Sequence, residues 1–161
     1  IVCAVQGTAA GAGLSLCASA DLVVAVDSAK FTSAYTKAGL SPDGSSTYFL
    51  PRRIGDRRAR ELMLTNRVLS AAEAESWGLV NQVVPEDQLT EATSALVSMM
   101  TAGPTRAFGA VKRLLNESSH TSLETQMELE TREIASCAMS EDGQEGISAF
   151  LAKRAPSYRG Q

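Results

Sequence analysis

Hydrophobic positions change period along this chain. Short β-branched apolar runs occupy the first third, and patterns of helical period fill the rest. "IVCAV" (1–5) and "DLVVAV" (21–26) are bounded by turn residues, the signature of buried strands. Between them, residues 13–20 hold about two helical turns of small side chains. A further strand is expected at 30–33, after the turn at Asp27-Ser28. "GLSPDGSS" (39–46) is a loop by its Pro-Asp-Gly signal. "TYFLPRRIG" then runs from apolar to basic and ends at Gly55, with Pro51 marking a break or kink.

Downstream, Asp56 is placed to N-cap "RRARELMLTN". Ser70 and Glu73 form a capping box for "AAEAESWG", closed by Gly78. "LVNQVV" is a short strand ahead of Pro85. Helices are expected at 86–100, 104–117, 122–139 and 141–153, supported by Pro104 near a first turn and by a Thr121/Glu124 capping box. The reading is an α/β chain with a strand-bearing core over 1–85 and a helical region over 86–161. A few short strands at one end would leave a sheet unpaired, and Ile1 opens inside a strand pattern. A preceding segment that supplies further strands is therefore expected.

Composition narrows the function classes. The 161 residues are 44% apolar and 20% charged, as in a soluble globular protein. A net charge of −3 gives the chain as a whole no electrostatic case for nucleic acid, and "RRIGDRR" lacks interleaved aromatics, so it reads as a solvated helix-end cluster. No apolar run approaches the roughly eighteen residues of a membrane span, and no signal-peptide pattern opens the chain. Cys3, Cys17 and Cys137 lack ligand spacing and read as reduced, buried small hydrophobes of a cytoplasmic protein. With His120 the single histidine, no metal site is expected. His120 reads as a loop residue and Trp77 as a core anchor.

The stretch "GTAAGAGLSLCASAD" (7–21) carries the chemistry. A strand leading through tiny residues into a helix delivers free backbone N–H groups at the helix start, and glycine or alanine lets a ligand atom approach them. Aided by the helix dipole, such a donor can stabilise an oxyanion. Close helix–sheet packing accounts for the same glycines equally well. A dinucleotide fingerprint does not fit, because "GAGLSL" lacks the third glycine.

"AVQGTAAGAGLSLCASADLVVAVDSAKF", "GLSPDGSSTYFLPRRIG", "RARELMLTNRVLSAAEAESWGLVNQVV" and "GISAFLAKRAPSYRG" follow one another in an order that resembles the crotonase superfamily, the enoyl-CoA hydratases and isomerases. Within it, the likeness to phenylacetyl-CoA ring-epoxide isomerases is greatest. The resemblance implies the C-terminal portion of a spiral of ββα turns, followed by helices that mediate trimerisation. It implies a coenzyme A thioester as substrate, no separate cofactor, and assembly as a homotrimer or hexamer, with neither nucleic acid nor membrane as partner.

By the same resemblance Ala12 supplies one oxyanion amide, flanked by Gly11 and Gly13, and the other amide belongs to a loop preceding this chain. The two glutamates of family hydratases fall on Ser15 and Tyr35, neither of which can serve as a carboxylate base. The carboxylate of the ring-epoxide isomerases, and of the 4-chlorobenzoyl-CoA dehalogenases, falls on Asp43. Ser15 is expected at the polar rim of its helix, and Tyr35 packs or donates a hydrogen bond. Taken alone, Pro42-Asp43-Gly44 is equally a plain turn. Phe150 matches a position beside adenine and Lys153 one at the coenzyme phosphates, although a charged last helical turn explains the lysine as well. The expected activity is double-bond migration through a thioester enolate, as in fatty acid metabolism or phenylacetate degradation. The alternatives are a non-catalytic coenzyme-binding or oligomerisation module, a hydratase and an aryl-CoA dehalogenase.

Overall fold

The apolar runs form the strands that their pattern demands, in a computed structural model that describes residues 1–161. Strands β1 (Val2–Val5), β3 (Leu22–Val26) and β6 (Gln82–Val84) make a parallel sheet in the order β1-β3-β6, with Ala4 opposite Val24 and Val24 opposite Gln82. Val24, Ala25 and Val26 are fully buried, which is why β3 shows no polar alternation. Asn81 fixes the β6 edge: its Oδ1 accepts from Val23 N–H at 2.8 Å, and its N–H donates to Val23 O at 2.9 Å.

A second sheet has the order β2-β4-β5, from Thr8–Ala10, Lys30–Thr32 and Leu69–Ser70. Strand β2 pairs parallel with β4, placing Ala9 opposite Phe31, and β4 pairs antiparallel with β5. The tiny-residue stretch thus contains a strand that its composition hid. Gly and Ala weaken the strand signal, but backbone pairing needs no side chain.

Helix α1 (Ala12–Ser19) leaves β2 directly and packs against α2 (Ser46–Ile54), which packs in turn on α3 (Asp56–Thr65). Leu14, Phe31, Leu50, Leu62 and Leu69 are the large side chains at the centre of this core. Pro51 does not break α2, one of the two outcomes expected of it from sequence. An interior proline costs about 3 kcal/mol, but α2 buries Leu50 and Ile54 almost completely, each gaining about 1.5–3 kcal/mol. The following bond, Gly55 N–H to Pro51 O, is intact at 2.9 Å.

Two capping expectations are corrected. Asp56 is the first residue of α3 rather than its cap, and its carboxylate pairs with Arg60 Nε at 2.7 Å one turn on. Ser122, not Thr121, caps α7 (Leu123–Ala138), accepting from Thr125 N–H. The Ser70–Glu73 box at α4 (Ala71–Ser76) is present, and Gly78 turns the chain beyond it at φ 84°. Arg53 is not simply solvated: its guanidinium donates to the α1 C-terminal carbonyls Ala18 O (3.2 Å) and Ala20 O (3.4 Å). Trp77 is half-buried against the core with Arg58 and Arg67 over its ring.

Contacts divide the chain into Ile1–Leu96 and Val97–Gln161, a boundary inside α5 (Leu89–Thr101), where the sequence pattern set it at 85/86. The second unit holds α6 (Thr105–Glu117), α7 and α8 (Glu141–Leu151). Arg113 joins α6 to α7 by two bonds of 3.0 Å to the Glu133 carboxylate. The chain end folds back on α8, where the buried Asp142 carboxylate accepts from Arg159 N–H (2.7 Å) and Gly160 N–H (2.8 Å). No helix is long and apolar enough to cross a membrane.

Candidate active site

Helix α1 begins with its donors unused by its own ladder. The first backbone bond runs from Ser15 N–H to Gly11 O at 3.1 Å, so the amides of Ala12, Gly13 and Leu14 precede it. The demanding conformation at this start falls on Gly11 (φ 53°, ψ −118°), and its N–H is tied to Thr32 O of β4 at 3.2 Å. Ala12 is therefore ordinary helix, a position that alanine fills without strain, and it is exposed. No acidic side chain stands in the first turn to neutralise the positive end of the helix.

The loop between β4 and α2 brings the acid to this helix. Asp43 O is held on three sides: by Ser46 N–H at 3.2 Å, by Ser46 Oγ at 2.9 Å and by Ser15 Oγ at 3.1 Å. Ser15 Oγ also lies 3.3 Å from Gly11 O, and its single proton serves one acceptor at a time. The backbone beyond Asp43 touches α1 so closely that a Cβ on Gly44 (φ 61°) would stand 2.9 Å from Ser15 Cβ. The carboxylate itself is exposed, and its Oδ1 accepts a hydrogen bond from the Tyr35 hydroxyl. The Tyr35 ring lies beside Gly11, where an added Cβ would meet Tyr35 Cζ at 3.7 Å.

Gly11, Ala12, Gly13, Ser15, Tyr35 and Asp43 thus share one locality. Ser15 is corrected: it is 2% exposed and braces the Asp43 main chain, rather than lining a polar rim. Phe150 and Lys153 lie in the second unit. Phe150 is 82% exposed near the end of α8. The helix stops at Leu151, short of the expected 153, and Lys153 adopts the left-handed region at φ 52°.

Sequence reasoning missed Ser46, Gly44 and Ala34. Ala34 takes φ 59° immediately before Tyr35, a conformation that a non-glycine residue seldom adopts. The signal for Gly44 was its place after Asp43. Nothing in the composition marked Ala34. Cys17 is buried under α1, and burial first, with Cys3 beside it, pushes its thiol up to about 12. Cys3 and Cys137 are only half-buried, against expectation.

The family now follows. The enoyl-CoA hydratase/isomerase pattern matches residues 1–161, and the chain belongs to that family. It is 41% identical over 161 residues to the 1,2-epoxyphenylacetyl-CoA isomerase of Escherichia coli strain K12, covering 100% of this chain and 62% of that protein. A 4-chlorobenzoyl coenzyme A dehalogenase of Arthrobacter is 36% identical over 150 residues, 93% of this chain and 54% of that one. The crystal structure of an enoyl-CoA hydratase from Polaromonas sp. JS666 superposes with a TM-score of 0.93 at 36% identity, covering 98% of this chain and 62% of its own. The chain spans less than two thirds of the length of these relatives, and its mixed α/β core with a helical C-terminal region is theirs.

Proposed function

We propose that this chain carries the proton-transferring face of an acyl-CoA isomerase. The observation that carries the reading is Asp43, braced against the first turn of α1 through Ser15 and presented beside amides that the helix leaves free. The thioester carbonyl oxygen accepts from Ala12 N–H. A 3-enoyl-CoA then gives a C2 proton to the Asp43 carboxylate. The C–H electrons form the C1=C2 bond of a dienolate, with negative charge on the thioester oxygen. Asp43 returns the proton to C4, the carbonyl re-forms, and the double bond now lies between C2 and C3. No water is consumed, and coenzyme A enters as part of the substrate.

Amide and helix dipole act on the enolate oxygen where the charge develops, the place at which such donors are most effective. By the family resemblance Tyr35 and Ser15 take the places of a hydratase's two glutamates, and neither is a carboxylate, which favours isomerisation over hydration. The exposed Ile134, Met139 and Leu151 of the helical region support assembly of copies into trimers or dimers of trimers. The free cysteines fit a cytoplasmic setting.

The test is conversion of a 3-enoyl-CoA to its conjugated isomer, with deuterium at C2 to follow intramolecular transfer. Asp43→Asn lowers the rate by about 10²–10⁴-fold, the range of a positioned acid–base group. Unaltered conversion by that variant removes the assignment. Halide release from 4-chlorobenzoyl-CoA without isomerisation replaces it with the dehalogenase chemistry of the Arthrobacter relative.

A further inference from the structure

We infer that Tyr35 is a positioning residue for Asp43: its hydroxyl occupies one carboxylate oxygen and leaves the other as the sole proton carrier. The inference deepens the isomerase reading above and rests on it. Tyr35 is itself fixed. Its N–H donates to Ser33 O at 2.8 Å, and its carbonyl accepts from Ala38 N–H (2.9 Å) and Leu40 N–H (3.1 Å). Thr36, the next residue, is anchored by its hydroxyl to Met63 O of α3 at 2.8 Å.

Strain at Ala34 accompanies this placement. A left-handed alanine brings its Cβ too close to the following carbonyl oxygen, and here it immediately precedes the residue that reaches Asp43. Such conformations persist where the surroundings over-determine them, and they collect at functional sites. The Asp43 main chain is clamped independently by Ser15 and Ser46. What remains free at Asp43 is rotation of its side chain, and the Tyr35 hydroxyl removes that freedom. One oxygen then takes the proton from C2 and delivers it to C4 before solvent exchanges it.

Tyr35→Phe keeps the ring beside Gly11 and deletes only the donor. Its effect is read in the full chain in two ways. The first is a split in the kinetic constants: kcat falls about tenfold while KM stays within about twofold, because substrate contacts are untouched. Intramolecular deuterium transfer falls with kcat, since a rotating carboxylate presents both oxygens to water.

An undiminished kcat in Tyr35→Phe overturns this inference and leaves the isomerase assignment standing. Undiminished label transfer per turnover does the same. Isomerisation by Asp43→Asn at the parental rate overturns the assignment itself, and the role given to Tyr35 with it. A general loss of fold in Tyr35→Phe would lower kcat without changing the fraction of label retained per turnover, so that outcome also counts against it.

Discussion

The two units solve the burial problem in opposite ways. Ile1–Leu96 has a packed core, with Phe31, Leu50, Leu62 and Leu69 wholly inaccessible. In Val97–Gln161 the buried apolar residues are Ala110 and Ala149 alone, while Leu115, Leu123, Ile134 and Met139 are each at least 66% exposed. Between α6 and α7 runs an open groove of about 550 Å³ lined by Val111, Leu114, Met127 and Ile134. Directed polar contacts carry the second unit instead: the Arg113–Glu133 pair, the Ser140 cap and the Asp142 clamp on the chain end. Exposed ion pairs contribute about 0–1 kcal/mol each, far less than a core. Catalytic geometry needs rigidity, and Ala12, Ser15, Tyr35 and Asp43 lie in the unit that has a core. Residues shaped for contact with other molecules are concentrated in the other.

Truncation of one large apolar side chain in each unit tests that contrast most severely. Phe31→Ala removes a fully buried ring and costs about 3–5 kcal/mol. Ile134→Ala, at a position 71% exposed, changes the stability of a dilute chain by no more than about 0.5 kcal/mol. Urea unfolding followed by Trp77 fluorescence and far-ultraviolet circular dichroism measures both. The same Ile134→Ala raises the concentration at which copies associate, seen by sedimentation. Equal losses from the two substitutions would break the comparison.

How much of this was legible beforehand differs between the units for the same reason. In the first, β-branched runs announced β1, β3 and β6, and the Ser70/Glu73 spacing announced a cap, because those signals are local. Strand β2 was not legible, since Thr8–Ala10 pairs through its backbone with a strand about twenty residues on. Persistence of α2 through Pro51 depended on the burial of Leu50 and Ile54, which no local rule supplies. At the site, residue types pointed to Asp43 and Ala12. The brace from Ser15 and the bond from Tyr35 are tertiary facts between residues 28 and 8 positions apart. The three helices of the second unit, and α5 before them, were legible from period, but the stop at Leu151 was not, because nothing in "FLAKR" breaks a helix.

Glycines sharpen the contrast at an intermediate scale. Between α7 and α8, a Cβ on Gly143 would stand 2.0 Å from Cys137 O, a backbone atom that cannot swing aside. Gly143→Ala therefore costs about 1–3 kcal/mol or more, an overpacking penalty lodged in the thinly cored unit. Gly109, inside α6, meets nothing closer than Arg113 Nη1 at 3.5 Å. Gly109→Ala gains about 0.5–1 kcal/mol by helix propensity. Opposite shifts in the thermal midpoint check the pair. Should both destabilise, α6 is not the unstrained helix described here.

The smallest effect concerns pH, and it isolates the polar contacts that stand in for a core. Arg154 donates to both oxygens of Glu145, at 2.6 and 2.7 Å, and Ser157 N–H adds a third bond at 2.9 Å. Arg154 first, then Ser157, with Arg159 adding charge, holds the Glu145 carboxyl down at about 2 against an ordinary 4.5. A depressed carboxylate stabilises the fold in full above its unfolded value and ceases to do so once it is protonated in the folded state. The tail contact is therefore complete above pH 4.5, weakens as pH falls below that, and is gone below about 2. Protection of the Ser157 amide against hydrogen exchange, corrected for intrinsic rates, should decline through that window. Glu145→Gln should lack the protection at neutral pH and show no further loss on acidification. A Ser157 amide whose protection is the same in parent and variant would mean that the tail is held by the Asp142 clamp alone, and that ion pairing contributes nothing to the order of this unit.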